Sequence, residues 1–206
     1  MKELRITLLL TLFLAPLVVS SAYAETIPLV ALDVTLAAVF LGVLPLLSVL
    51  LLWAENFQYH SWQIRYGASQ RPQILLSLGR NAAALFFSSI AGAGAAIYAF
   101  RAPGDPLLGQ DFSATIAIAL AAASSFTLFF ACARTLLGKW GLVCALGISW
   151  TLGVSDLALS ALVPSGHIHS LLGVGDGLVF PGLTSFGVLY LGSFITGAWL
   201  LRRLPH

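Results

Sequence analysis

Apolar residues fall in long, almost uncharged blocks, not in the alternation of a half-buried strand or the one-sided stripe of a surface helix. A bilayer core about 30 Å thick takes about 20 such residues as a helix. Val34–Trp53 meets that length without a charge, and Ala82–Phe100 and Ser113–Ala133 meet it up to Arg101 and Arg134. Trp140–Leu162 is interrupted only by Asp156, and Leu183–Leu201 ends in Arg202-Arg203. With Ile6–Tyr23 counted, the pattern predicts six spans: 6–23, 34–53, 82–100, 113–133, 140–162 and 183–201. The expectation is an all-α, polytopic helical membrane protein with one transmembrane domain over residues 1–206.

The first block has two readings. Lys2 and Arg5 before the run to Val19, then Ala22-Tyr23-Ala24 before Glu25, match a secretory signal peptide with an A-x-A cleavage site. The same run is long enough to cross a bilayer, and the next apolar block follows at helical-hairpin distance. Retention as the first span is the expectation, and the orientation of the later spans is the same under either reading.

Charge fixes that orientation. With the N-terminus inside, Lys2, Arg5, Arg65, Arg71, Arg80, Arg134, Lys139, Arg202 and Arg203 are cytoplasmic and only Arg101 is outside, a strong positive-inside bias. Glu25, Asp33, Asp105, Asp111 and Asp176 fall outside. Both termini are therefore expected in the cytoplasm. Trp53, Trp140 and Trp199 lie near the predicted cytoplasmic ends, where indoles favour the interface. The runs Ala91–Ala96 and Ala121–Ser125 are dense in small residues. They read either as close-packing faces or as ordinary small-residue filler.

Composition narrows the function classes. The chain is 59% hydrophobic and 9% charged, whereas soluble domains carry about 25% charged residues. A soluble enzyme and a disordered tail are excluded, and a net charge of +2 is too small for a nucleic-acid surface. Cys132 and Cys144 lie in apolar runs, where free cysteine acts as a small hydrophobe.

Two segments are not simple spans. The cytoplasmic loop 54–81 alternates Phe57, Trp62, Ile64 and Tyr66 with polar neighbours, which predicts an interfacial helix before Gly67. Gly67-Ala68-Ser69 reads as a turn, with Ser69 as N-cap and Pro72 in the first turn of the next helix. The loop is either an amphipathic connector or a helix–turn–helix presented to a partner. The external stretch 164–182 is apolar but broken by glycine and proline, so a re-entrant hairpin is expected. Within it His167, His169 and Asp176 imitate a metal site, but histidines two apart face different sides of a helix, and no metal is expected. Asp156 is the one acid inside a span. It reads either as a pathway residue or as an acid that reaches the outer interface or pairs with Arg101.

Catalytic motifs are absent. The nearest string to a phosphate-binding loop, 133–140, has Ala133 for its first glycine and Trp140 where a magnesium-binding hydroxyl belongs. The chain also lacks HExxH and GxSxG, so no enzyme activity is expected of it.

Glu55, then Gly67-Ala68-Ser69-Gln70-Arg71-Pro72-Gln73-Ile74-Leu75 with Gly79-Arg80, resemble the coupling segment of ABC transporter permeases of the type-2 exporter class. Leu162-Val163-Pro164 with His167 and Leu171-Leu172 resembles that family's proline-marked external hairpin. Six spans, a coupling loop between the second and third, and a broken hairpin between the fifth and sixth follow the family's order along nearly the whole chain. The family's repeated-acid and Gly-Thr pattern is absent from the coupling segment, and the N-terminal elbow helix is reduced to a few residues.

The resemblance implies a permease subunit of an ATP-driven exporter in the bacterial cytoplasmic (inner) membrane. It would pair with a second permease subunit, identical or not, and couple through Glu55, Arg65, Tyr66, Gly67, Ala68, Ser69, Gln70 and Arg71 to an ABC-type ATPase. It implies no cofactor on this chain, with ATP and magnesium on the ATPase. The alternatives are a non-transporting scaffold subunit and a secondary carrier using Asp156.

Overall fold

A computed structural model describes residues 28–54, 71–100, 108–153, 158–172 and 183–203. Among them every regular element is helical: α1 (Pro28–Ala37), a π-helical turn (Ala38–Val43), α2 (Leu44–Ala54), α3 (Arg71–Phe100), α4 (Leu108–Gly153), a 3-10 segment (Ala158–Leu162), α5 (Pro164–Leu172) and α6 (Leu183–Arg203). Among the described residues three helical stretches are long and apolar enough to cross a membrane: Val34–Ala54, Ile74–Ala99 and Phe112–Gly153. This is the signature of a multi-pass membrane protein.

α1, the π turn and α2 follow one another without a break, and Pro45 explains the wide turn between them. Proline cannot donate a backbone hydrogen bond, and its ring collides with the carbonyl four residues back. Widening the turn relieves that collision. Accordingly the Leu44 N–H donates to the Val39 carbonyl, five residues back instead of four.

α3 starts at Arg71, well before the span expected from Ala82, with Pro72 in its first turn. Its 30 residues make a rod of about 45 Å, longer than a bilayer core of about 30 Å.

α4 is two arms, 108–137 and 139–153, separated by Gly138 at φ 66°, ψ −152°. A side chain is strained there, so the break falls on glycine. The chain reverses at this point. Along a straight helix residues 133 and 141 would stand about 12 Å apart. Instead a Cβ on Gly141 would press into the Ala133 carbonyl oxygen and come within 2.7 Å of Leu137 Cβ. The sequence places its fourth and fifth spans on either side of this turn.

The second arm is α-helical through Gly153, and the span expected over 140–162 is not α-helical at its far end. Residues 158–162 form the 3-10 segment. Residues 164–172, expected as part of an irregular hairpin, fold into the short helix α5.

The core lies where these rods meet. Phe40, Leu44, Leu85, Ile97, Phe126, Phe130, Leu142 and Ile168 are fully buried in one cluster. Phe126 stacks on Phe130 at 6.1 Å, and Phe129 meets Phe130 edge-on at 5.2 Å. Ala121, Ala122 and Ala123 are all buried, so the second small-residue run is a packing face. In the first run Ala93 and Ala96 are buried, while Ala91 and Ala95 are exposed. Gly94 leaves room for the Phe112 ring, which a Cβ there would touch at 3.4 Å.

Candidate functional site

Helix ends leave backbone carbonyls without partners, and the end of α2 meets basic residues from the α4 turn. Arg134 is only 6% exposed, and its guanidinium donates to the Leu52 carbonyl, one of the last four of α2. The negative end of the helix dipole favours a cation at that position. Lys139 places its ammonium 5.6 Å from the centre of the Trp53 ring, within cation–π range. Trp53, Arg134 and Lys139, assigned by sequence to one side of the membrane, thus meet at one end of the bundle.

α5 folds back along the second arm of α4. Ser165 is buried, donates to the Ser149 carbonyl at 2.7 Å, and lies 3.1 Å from the Ser149 hydroxyl. Gly153 makes this approach possible, since a Cβ there would overlap the Ser165 side chain. α5 also packs on α1, on the π turn and on α6. Ser170 and Ser185 join α5 to α6 at 3.1 Å.

Between the first arm of α4, the 158–167 segment and α6 lies a cavity of about 510 Å³. Ser125, Leu128, Phe129, Cys132 and Leu136 form one wall, at the three- and four-residue spacing of a single helix face. Val188, Leu189, Gly192, Ser193, Thr196 and Trp199 form the opposite wall with the same spacing. Ala161, Leu162, Pro164 and His167 supply the third side. The helices approach each other at Gly197, whose Cβ position is 3.9 Å from Leu128.

Three polar groups on these walls differ in their bonding. Ser125 donates to the Ala121 carbonyl at 2.6 Å. His167 Nε2 lies 2.8 Å from the Ala161 carbonyl; a carbonyl only accepts, so Nε2 is the donor. The Ser193 hydroxyl oxygen is buried and has no hydrogen-bond partner.

Of the residues singled out by sequence, Pro164 begins α5 and His167 borders the cavity. His169 lies two residues further along α5, about 200° around the helix, so the two histidines diverge. Among the described residues no three His, Cys, Asp or Glu side chains converge on a metal position. Arg71 is the first residue of α3. Glu55, Arg65, Tyr66, Gly67, Ala68, Ser69 and Gln70 lie outside the described residues, as do Asp156 and Asp176.

Sequence reasoning did not single out the wall residues Ser193, Gly192 and Thr196, and it read Cys132 only as a small hydrophobe. Their signal is present in α6, where Gly192, Ser193 and Thr196 form a small, weakly polar strip between Val188 and Trp199. Comparison with protein families, with curated proteins and with solved structures finds no match to this chain.

Proposed function

We propose that this chain is the membrane-spanning permease subunit of an ATP-driven exporter, lining the pathway and coupling to a separate ATPase through the 55–75 loop. The observation that carries this reading is α5. A nine-residue helix, much too short to span, is packed back among α1, the second arm of α4 and α6. Such a broken element between the last two long helices fits the external hairpin of type-2 exporter permeases. The fixed contact of Arg134 with the end of α2 adds to it, because it braces the α4 turn against the helix that leads into the 55–75 loop. In this scheme the ATPase acts on the loop and the helices transmit the movement, while ATP and magnesium stay on the partner. The second permease subunit completes the pathway.

Affinity purification from native membranes in mild detergent tests the proposal. The expected result is co-purification of a P-loop ATPase whose turnover falls when Arg65 and Arg71 are replaced together by glutamate. Recovery of the chain alone, with no nucleotide-dependent activity in the starting membranes, overturns it. Activity driven by a proton gradient, independent of ATP and lost in Asp156→Asn, replaces it with a carrier.

A further inference from the structure

The end of α2 fixes a level for the turn of α4. The apolar stretch Val34–Ala54 has 21 residues, about 30 Å at helical rise, which is the thickness of a bilayer's hydrocarbon core. Its last residues stand at the edge of that core. Two contacts tie the α4 turn to the same edge: Arg134 donates to the Leu52 carbonyl, and the Lys139 ammonium lies 5.6 Å from the Trp53 ring centre. Gly138 is four steps past Arg134, hence about 6 Å further out. A headgroup layer is about 5–8 Å deep on each face, half the difference between the core and the whole bilayer. The turn therefore ends inside that layer, neither in hydrocarbon nor clear of the membrane.

The side chains suit that level. Residues 135–140 are exposed without a break, and three of them are large and apolar: Leu136 is 64%, Leu137 66% and Trp140 76% exposed. A turn that projects into water is built from small polar residues, glycine and proline; this one reads Thr135-Leu136-Leu137-Gly138-Lys139-Trp140. Single exposed apolar residues need no explanation, but a contiguous group marks a contact with a membrane or a protein. Depth and charge select the membrane. An indole favours the headgroup level, where its ring is in an apolar medium and its N–H is wet. Lys139 is exposed, and its charge at this depth is of the sign that lipid phosphates attract.

We infer that the α4 turn is an interfacial anchor: Leu136, Leu137 and Trp140 are immersed among phospholipid headgroups and the first acyl carbons, and the Lys139 ammonium pairs with a headgroup phosphate. The anchor goes beyond the transport reading and does not depend on it. It leaves the 55–75 loop, not this turn, as the surface open to a soluble partner.

The full chain, with Cys132 and Cys144 replaced by alanine and Leu137→Cys carrying a nitroxide, is reconstituted alone in vesicles of phosphatidylcholine and phosphatidylglycerol. Collisions with oxygen, which concentrates in the membrane, are compared with collisions with a water-soluble nickel chelate. The expected result is loss of most of the chelate accessibility with oxygen accessibility retained. A label fully open to the chelate puts the turn in water and overturns the inference. A label shielded from both reagents also overturns it, by burying the turn under the 55–70 segment or a second copy. Native mass spectrometry with phosphatidylglycerol then tests the phosphate contact in the otherwise unmodified chain. Retention of the lipid is expected to fall about 1.5- to fivefold in Lys139→Gln, the range of one exposed ion pair, and to hold in Lys139→Arg. Equal retention by wild type and Lys139→Gln overturns the pairing.

Discussion

The reversal of α4 at Gly138 yields a sharp energetic contrast among three glycines of one helix. Gly138 is exposed, and nothing lies within 4 Å of its Cβ position, so replacement by alanine meets no steric obstacle. Its φ of 66° with ψ of −152° is nevertheless a conformation that side-chain-bearing residues avoid. The cost of Gly138→Ala is then purely backbone, about 2 kcal/mol. At Gly141 the backbone is helical, but the Ala133 carbonyl occupies the place of the new methyl. Gly141→Ala must move a backbone carbonyl, an overpacking cost of about 1–3 kcal/mol. Gly147 lies inside the second arm with open space around it, so alanine there gains about 0.5–1 kcal/mol from helix propensity.

Thermal unfolding of the three variants in detergent micelles, followed by circular dichroism at the helical band, reads this contrast directly. For a chain of this length 1 kcal/mol moves the midpoint by about 2–4 °C. Gly138→Ala is expected to unfold roughly 4–8 °C below wild type and Gly147→Ala at or slightly above it. Gly141→Ala belongs with the destabilised pair. If Gly138→Ala unfolds at the temperature of Gly147→Ala or higher, the chain does not reverse at Gly138 and the two-arm reading of α4 is wrong.

Four further outcomes follow from the buried polar groups. Arg134→Met leaves the Leu52 carbonyl without its cationic donor and is expected to cost about 1.5–3 kcal/mol, read as a lower midpoint in the same assay; an unchanged midpoint would remove the clasp on α2. Ser165→Ala removes both hydrogen bonds between α5 and the second arm, whereas Ser149→Ala removes only the one between the two hydroxyls, so a double-mutant cycle isolates that hydroxyl pair and is expected to give a coupling of about 0.6 kcal/mol; strict additivity would refute the hydroxyl–hydroxyl contact. Ser48→Ala removes a buried hydroxyl that has no partner and is expected to be neutral or stabilising by up to about 1 kcal/mol. Thr127→Val, which deletes a hydroxyl bonded to the Ala123 carbonyl at 2.7 Å, is expected to destabilise by about 1 kcal/mol in the same measurement.

Membrane-spanning length was legible in the sequence because it depends on one local property, the count of consecutive apolar residues. Val34–Trp53 is matched within a residue at each end by the apolar helical stretch Val34–Ala54. Elements whose form depends on neighbours were less legible. The glycines and prolines after Leu162 read as an irregular hairpin, yet Pro164 is tolerated in the first turn of α5 and Gly166 is helical. Ile168, Leu171 and Leu172 then form a buried face that sustains a nine-residue helix, which would be marginal alone. Pro45 carried no expectation at the level of sequence, since which carbonyl it displaces, and that a wide turn absorbs the collision, is a matter of local geometry. The groove beside α6 was not legible at all. Its walls come from residues 125–136 and 188–199, whose meeting is a tertiary event, and the burial of the Ser193 hydroxyl follows only once those walls are in place.

Arg134 shows why a count of charges carries less information than the structure that holds them. By sequence it is one of nine basic residues on the cytoplasmic side, where its contribution is to sidedness. In the fold it is nearly buried and donates to the Leu52 carbonyl at the C-terminal end of α2. Four residues to one side lies Gly138, the only described residue with positive φ, and beside that Lys139 covers the Trp53 ring. The bend of α4 and the end of α2 are therefore joined by both of the bend's cations. An arginine placed here by topology alone would remain solvated and replaceable by lysine. One that closes a helix end must keep a planar, multiply donating head at a fixed depth, which lysine does not reproduce. Arg134→Lys consequently separates the two roles: it preserves the positive-inside count in full and is expected to lose most of the stability lost by Arg134→Met.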